Sequence, residues 1–150
     1  MIKESRGMRA LAQAADEEKL QVVQLLLELG VEVNDIDKLL YTYEVPIARA
    51  ARKGNEQIVK RLIDAGANVN ASNDDPEYWN PLMCGVSSGV LSVVQLLVEA
   101  GANVNEFRQG GNSALQMAID SNFHEIVDYL ELLSSAEVKD MIRTTQEQGW

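Results

Sequence analysis

One hundred and fifty residues suffice for a single domain with a buried core, and a formal net charge of −10 argues against nucleic acid, whose binding rests on cationic contacts to phosphate. No apolar run approaches the length of a membrane span, and Met1–Arg6 lacks the apolar stretch of a secretory signal. A single cysteine, Cys84, excludes an internal disulfide and fits a reducing compartment, so a cytoplasmic location is expected.

In chain order, residues 1–7 are expected to be a loose start. The small-residue stretch Ala10-Leu11-Ala12-Gln13-Ala14-Ala15 predicts a short helix. A second follows over Glu18–Leu29, with Val22-Val23 and Leu25-Leu26-Leu27 as its apolar stripe, and it stops at Gly30. The same pair recurs three times. Its first helix begins at Pro46, Pro81 and Ala114; its second leads to Gly66, Gly101 and Ser134. Proline suits the first helical position, and Asn80 and Ser113 are placed to cap. Gly54, Gly89 and Asn122 separate the two helices of a pair; Glu18 stands at that place in the first copy, a costly residue for positive φ. The stretch Gly66-Ala67-Asn68-Val69-Asn70 returns 35 residues later as Gly101-Ala102-Asn103-Val104-Asn105, and Gly30-Val31-Glu32-Val33-Asn34 is a looser copy. A fixed period of this size marks a repeat array. Ser134-Ser135-Ala136-Glu137 offers a capping box for a last helix, with Ser134 as the cap and Val138, Met141 and Ile142 as the apolar face. That helix is expected to cover the open side of the fourth copy, with binding of a partner as the alternative.

The two motifs recurring in one register resemble the ankyrin repeat. The resemblance covers roughly residues 8–134 and implies an all-α solenoid of four helix pairs with hairpin-like loops and a C-terminal capping helix. The whole chain is expected to be one domain, with repeats at about 8–34, 43–70, 78–105 and 111–134 and the capping helix at about 135–147. The family's Thr-Pro-Leu-His start departs here to Val45-Pro46-Ile47-Ala48, Asn80-Pro81-Leu82-Met83 and Ser113-Ala114-Leu115-Gln116, so no copy keeps the histidine.

No constellation for catalysis is expected. His124 is the lone histidine, Cys84 reads as a small core thiol, and Asp74-Asp75 lacks the spacing of a calcium loop. Neither a metal nor a cofactor is expected. The resemblance implies protein binding on a concave face made of loop tips and inner-helix surfaces. Of the chain's eight aromatics, Tyr41, Tyr43, Tyr78, Trp79 and Phe107 fall in the loops between repeats, where the helix stack does not need them. Tyr and Trp are also the anchors that dominate interface energies. Tyr43 and Tyr78 stand where the family usually has glycine, which leaves inward packing as their alternative. Arg49, Arg52, Lys53, Lys60 and Arg61 crowd the second repeat, with Arg52 and Lys53 at the family's exposed inner-helix positions. They read either as a solvated patch paired with Glu56 and Asp64 or as a contact for an acidic group. Glu44, Ser87, Arg108 and Asn112 complete the expected contact set.

The expected function is therefore a non-catalytic adaptor, scaffold or inhibitor, monomeric, with a protein partner that offers an acidic segment. A chaperone or assembly factor using the same surface is the alternative. Leu62 with Asn70, and Leu97 with Asn105, also show the spacing of ankyrin repeats that are asparagine-hydroxylated in animals, which would make the protein a substrate; the spacing comes with the repeat and discriminates little.

Overall fold

The helices that begin at Pro46, Pro81 and Ala114 start where a side chain caps the first turn or a proline occupies it. Asn80 Oδ1 accepts the Met83 N–H at 2.8 Å, and Ser113 Oγ accepts the Gln116 N–H at 3.1 Å. Val45 caps nothing with its side chain, and Pro46 follows it at the first helical position. Between the two helices of a pair the chain passes through the left-handed region: φ is +68° at Gly54, +72° at Gly89, and +58° at both Glu18 and Asn122. The first turn therefore has the same geometry as the rest despite its glutamate. Gly54 and Gly89 carry a second constraint, since an added Cβ would lie 2.8 Å from Val90 Cγ2 and 3.0 Å from the Phe123 ring, respectively.

The computed structural model describes residues 2–34, 45–71, 79–107 and 113–149. Among them it contains helices α1 (Ile2–Asp16), α2 (Leu20–Glu28), α3 (Pro46–Lys53), α4 (Glu56–Asp64), α5 (Pro81–Ser88), α6 (Leu91–Glu99), α7 (Ala114–Asp120), α8 (His124–Leu133) and α9 (Ala136–Glu147), and no strand. The four expected pairs are α1/α2 to α7/α8. The odd-numbered helices α1, α3, α5 and α7 pack in succession as an inner layer; α2, α4, α6 and α8 follow as an outer layer. One continuous core runs between the layers, with Leu11, Ile47, Leu82 and Leu115 from the inner helices meeting Ile58, Leu62, Leu97, Ile126 and Leu130 from the outer ones.

Two expectations at the ends are corrected. Helix α1 begins at Ile2, so the loose start is helical and α1 is about twice the length of the other inner helices. The cap of α9 is Ser135, whose Oγ accepts the Val138 N–H at 3.3 Å. Ser134 instead donates its hydroxyl to the Leu130 carbonyl at 2.7 Å, and its backbone is extended, with ψ 143°. The apolar face of α9 is Val138 and Ile142, both buried; Met141 is 47% exposed.

The recurring five-residue stretch explains how the pairs are clamped. Asn34 Nδ2 donates to the Gly66 carbonyl at 2.9 Å, and its Oδ1 accepts the Asn68 N–H at 2.7 Å. Asn70 repeats both bonds one copy later, to the Gly101 carbonyl at 2.9 Å and from the Asn103 N–H at 2.7 Å. Asn105 accepts the Ser135 N–H at 2.8 Å, so the tail is held by the same device. Asn68 and Asn103 work within their own copy, each accepting the N–H two residues on at 3.0 Å.

Candidate protein-binding face

Helix α3 is buried on every face but one. Pro46, Ile47, Ala48, Ala50 and Ala51 are inside, Arg49 is half-buried, and Arg52 and Lys53 are exposed in the last turn. The equivalent positions are Asp16 with Glu17 at the end of α1, Ser87 and Ser88 on α5, and Asp120 with Ser121 at the end of α7. Along the open edge of the inner layer the charge thus runs acidic, basic, neutral, acidic. Glu17 is held in place: Lys19 Nζ lies 2.6 Å away and Gln13 Nε2 donates to it at 2.8 Å. The Lys19 hydrogen bond, then that from Gln13, holds its carboxyl below the usual range.

At the opposite end of the inner layer stands Trp79, 40% exposed, just before the Asn80 cap of α5. Asn80 is fixed on both sides, donating Nδ2 to Glu106 Oε2 at 2.8 Å in addition to its cap. The Trp79 backbone therefore leaves from a rigid point. An inner helix of eight residues is about 12 Å long, so the aromatic and the basic pair lie roughly one helix length apart.

The expected contact residues sort into three groups. Arg52, Lys53 and Trp79 are exposed on the inner layer or its rim. Ser87 is half-buried, with its hydroxyl donated to the Cys84 carbonyl at 2.6 Å, and Phe107 is half-buried against the core. Tyr41, Tyr43, Glu44, Tyr78, Arg108 and Asn112 lie outside the described residues. The basic cluster of the second repeat is divided: Lys60 and Arg61 sit on the outer helix α4, where Lys60 lies 3.8 Å from Asp64. Glu56 turns to the next outer helix and accepts the Ser92 hydroxyl at 2.9 Å. Cys84 is buried in α5, as a core thiol would be. Asn70 and Asn105, the asparagines at the hydroxylation spacing, both have side chains engaged by the neighbouring element.

Among the described residues no group of three or more His, Cys, Asp or Glu side chains is placed to hold a metal ion. Nor is any helix among the described residues long and apolar enough to cross a membrane. What the inner layer presents is a ridged face with fixed charge and an aromatic rim, suited to contacts with another macromolecule.

A family model described as ankyrin repeats in three copies matches residues 47–141, more than half of the chain, from the first turn of α3 to the middle of α9. A fowlpox virus (strain NVSL) protein named for its ankyrin repeats is 37% identical over 59 residues, a stretch that covers 39% of this chain and 13% of that relative. The paired helices, the left-handed turns between them and the asparagine clamps from one pair to the next have the same source: the chain belongs to the ankyrin repeat family.

Proposed function

We propose that the protein is a non-catalytic interaction module, an adaptor, scaffold or inhibitor, whose partner docks across the inner layer of repeats two to four. The ankyrin repeat family is one of protein–protein interaction modules. The observation that carries the finer reading is Arg52 with Lys53: two exposed cations on the inner layer of a chain with net charge −10, flanked along the row by Asp16 and Asp120. Such a pattern selects an acidic contact segment and fixes its register. Trp79, just before α5, supplies an apolar anchor at the opposite end of the inner layer. Tyr41, Tyr43, Tyr78 and Arg108, from the loops, complete the proposed footprint, with a cytoplasmic location as its setting.

The two contributions separate by experiment. Affinity purification from native extract identifies partners, and each is then titrated in purified form. Trp79→Ala raises the dissociation rate, as loss of an anchor worth about 2 kcal/mol does. Arg52→Glu with Lys53→Glu slows association, less so at high salt. If both variants bind the purified partner as tightly as wild type, the proposed face is wrong. If Trp79→Ala unfolds the protein, the tryptophan is a core residue and the anchor is lost from the proposal.

A further inference from the structure

The outward stripe of α1 continues the inner face of the array. In register Gln13 matches Arg49, just as Asp16 and Glu17 match Arg52 and Lys53. Arg6 and Arg9, at i−7 and i−4 from Gln13, stand on the same side of the helix. All three are exposed, and Met8, Leu11, Ala12, Ala14 and Ala15 on the opposite side are buried. Helix α3 packs beside α1, and the residues it leaves uncovered are all cations: Arg49 half-buried, Arg52 and Lys53 exposed. Because α1 starts earlier than α3, Arg6 and Arg9 lie beyond the level of Pro46, whereas Arg52 and Lys53 lie at the far end of α3. The remaining corner of this face, at the end of α1, is acidic, with Asp16 and Glu17. Five of the chain's 13 basic residues thus form a diagonal across two neighbouring helices of a protein with 23 acids.

We propose that this diagonal binds an acidic segment of the partner in extended form, about six residues long. The inference rests on the acidic contact segment of the proposed function and extends its path to the first repeat. The length follows from the helices. Arg9 and Arg52 differ by about 10 Å in level along the helix direction, and neighbouring helices lie roughly 9 Å apart, so their Cα atoms are about 14 Å from one another and those of Arg6 and Lys53 about 19 Å. An extended chain spans the longer distance in about six residues. The direction follows from charge. Asp16 and Glu17 repel an acidic chain from the end of α1, and Asp120 repels it from α7, so the diagonal is the path left to it.

Helix stability does not account for the pattern. Arg6 and Arg9 are like charges three residues apart, and Asp16 ends α1 where the macrodipole favours a cation. Both placements cost the isolated helix. Clusters of arginine are the means by which acidic motifs are recognised. Arg9, Arg49 and Arg52 also interact within the chain. A guanidinium with five N–H donors can keep such a contact and still meet a carboxylate.

The test uses the full chain and fluorescein-labelled hexaglutamate, read by fluorescence anisotropy at about 0.1 M salt, where a Debye length of about 10 Å screens the chain's more distant acids. Hexaglutamate is expected to bind. Arg6→Glu with Arg9→Glu should weaken it about fivefold or more, as should Arg52→Glu with Lys53→Glu. Lys60→Glu with Arg61→Glu, on the outer helix, makes the same change in net charge and should weaken it by less than about twofold. Unchanged melting curves verify the fold, and Arg6→Glu against Arg61→Glu repeats the comparison with the Arg9 contact intact. No binding of hexaglutamate, or equal effects of the α1 and outer-helix pairs, overturns the proposal. If only the Arg52 and Lys53 change weakens binding, the acidic contact on repeat two stands and its extension to α1 falls. The Trp79 anchor is tested separately with the purified partner, since hexaglutamate has no apolar side chain to engage it.

Discussion

Replacing Asn70 with alanine removes both side-chain bonds that tie repeat two to repeat three, the donation to Gly101 and the acceptance from Asn103. Both are exposed, so water takes over each freed group and the net loss per bond is about 0.5–1.5 kcal/mol. Two bonds give about 2 kcal/mol. A kcal/mol moves the Tm of a chain this long by roughly 2–4 °C, so the expected drop is about 4–8 °C. In a repeat array the loss falls on the term coupling neighbours, which also broadens the transition. Alanine at Asn34 should match it, since the same two bonds are made there. Asn105→Ala should cost about half, having one such bond, to Ser135. Asn68→Ala breaks a bond inside its own repeat and should leave the width of the transition alone. Thermal and urea unfolding followed by circular dichroism measure all four. An Asn70→Ala protein that melts within about 1 °C of wild type, or behaves like Asn68→Ala, refutes the clamp.

Truncation after Ser134 uncovers the core that Val138 and Ile142 close, and at about 1.5–3 kcal/mol per side chain the loss should be several kcal/mol; Met141→Ala, at a 47% exposed site, should leave the melting curve unchanged. Glu18→Gly should stabilise by up to about 1 kcal/mol, because relief of the left-handed strain exceeds the added chain entropy, and by more than Asn122→Gly, since asparagine tolerates that conformation better; chemical denaturation ranks the two. Burial, then the nearby Glu99 carboxylate, raises the Tyr129 phenol above its ordinary value. A raised pKa means that stability is full below the ordinary phenol value and falls as pH rises through the shifted one, so Tyr129→Phe should flatten the alkaline loss and remove one tyrosine from the ultraviolet titration.

The helix pairs were legible because two signals of different origin coincide in each copy: an apolar stripe of helical period and a residue at the turn suited to positive φ. The first turn shows the limit of the second signal. Glu18 has the wrong chemistry for +58°, yet Leu11, Ala15 and Val23 on either side are fully buried, and their packing holds the turn. Tertiary packing also decided the start of α9. Ser134 and Ser135 both fit a cap by pattern, and the choice fell on Ser135 because Asn105 takes its N–H while Ser134 finishes α8. The recurrence of Asn34, Asn70 and Asn105 was visible; their task was not, because each bond joins groups about 30 residues apart. For the contact set, exposure of Arg52 and Lys53 followed from the inner-helix positions that the family resemblance assigns them, but Phe107 turned toward the core from a loop, where no period constrains direction.

Helices α2 and α6 carry that distinction furthest. Nearly the same nine residues leave Val93 fully buried in one place and its counterpart Val22 41% exposed in the other. Period and composition specify which side of a helix is apolar, and they do so equally well in both copies. They carry no information on whether a neighbour is present, because in a solenoid each unit is covered only by the units beside it. Helix α4, with Lys60 and Arg61 exposed beside a sealed Ile58 and Leu62, shows that this chain places charge on the wet side of an outer helix even where a neighbour stands on both sides.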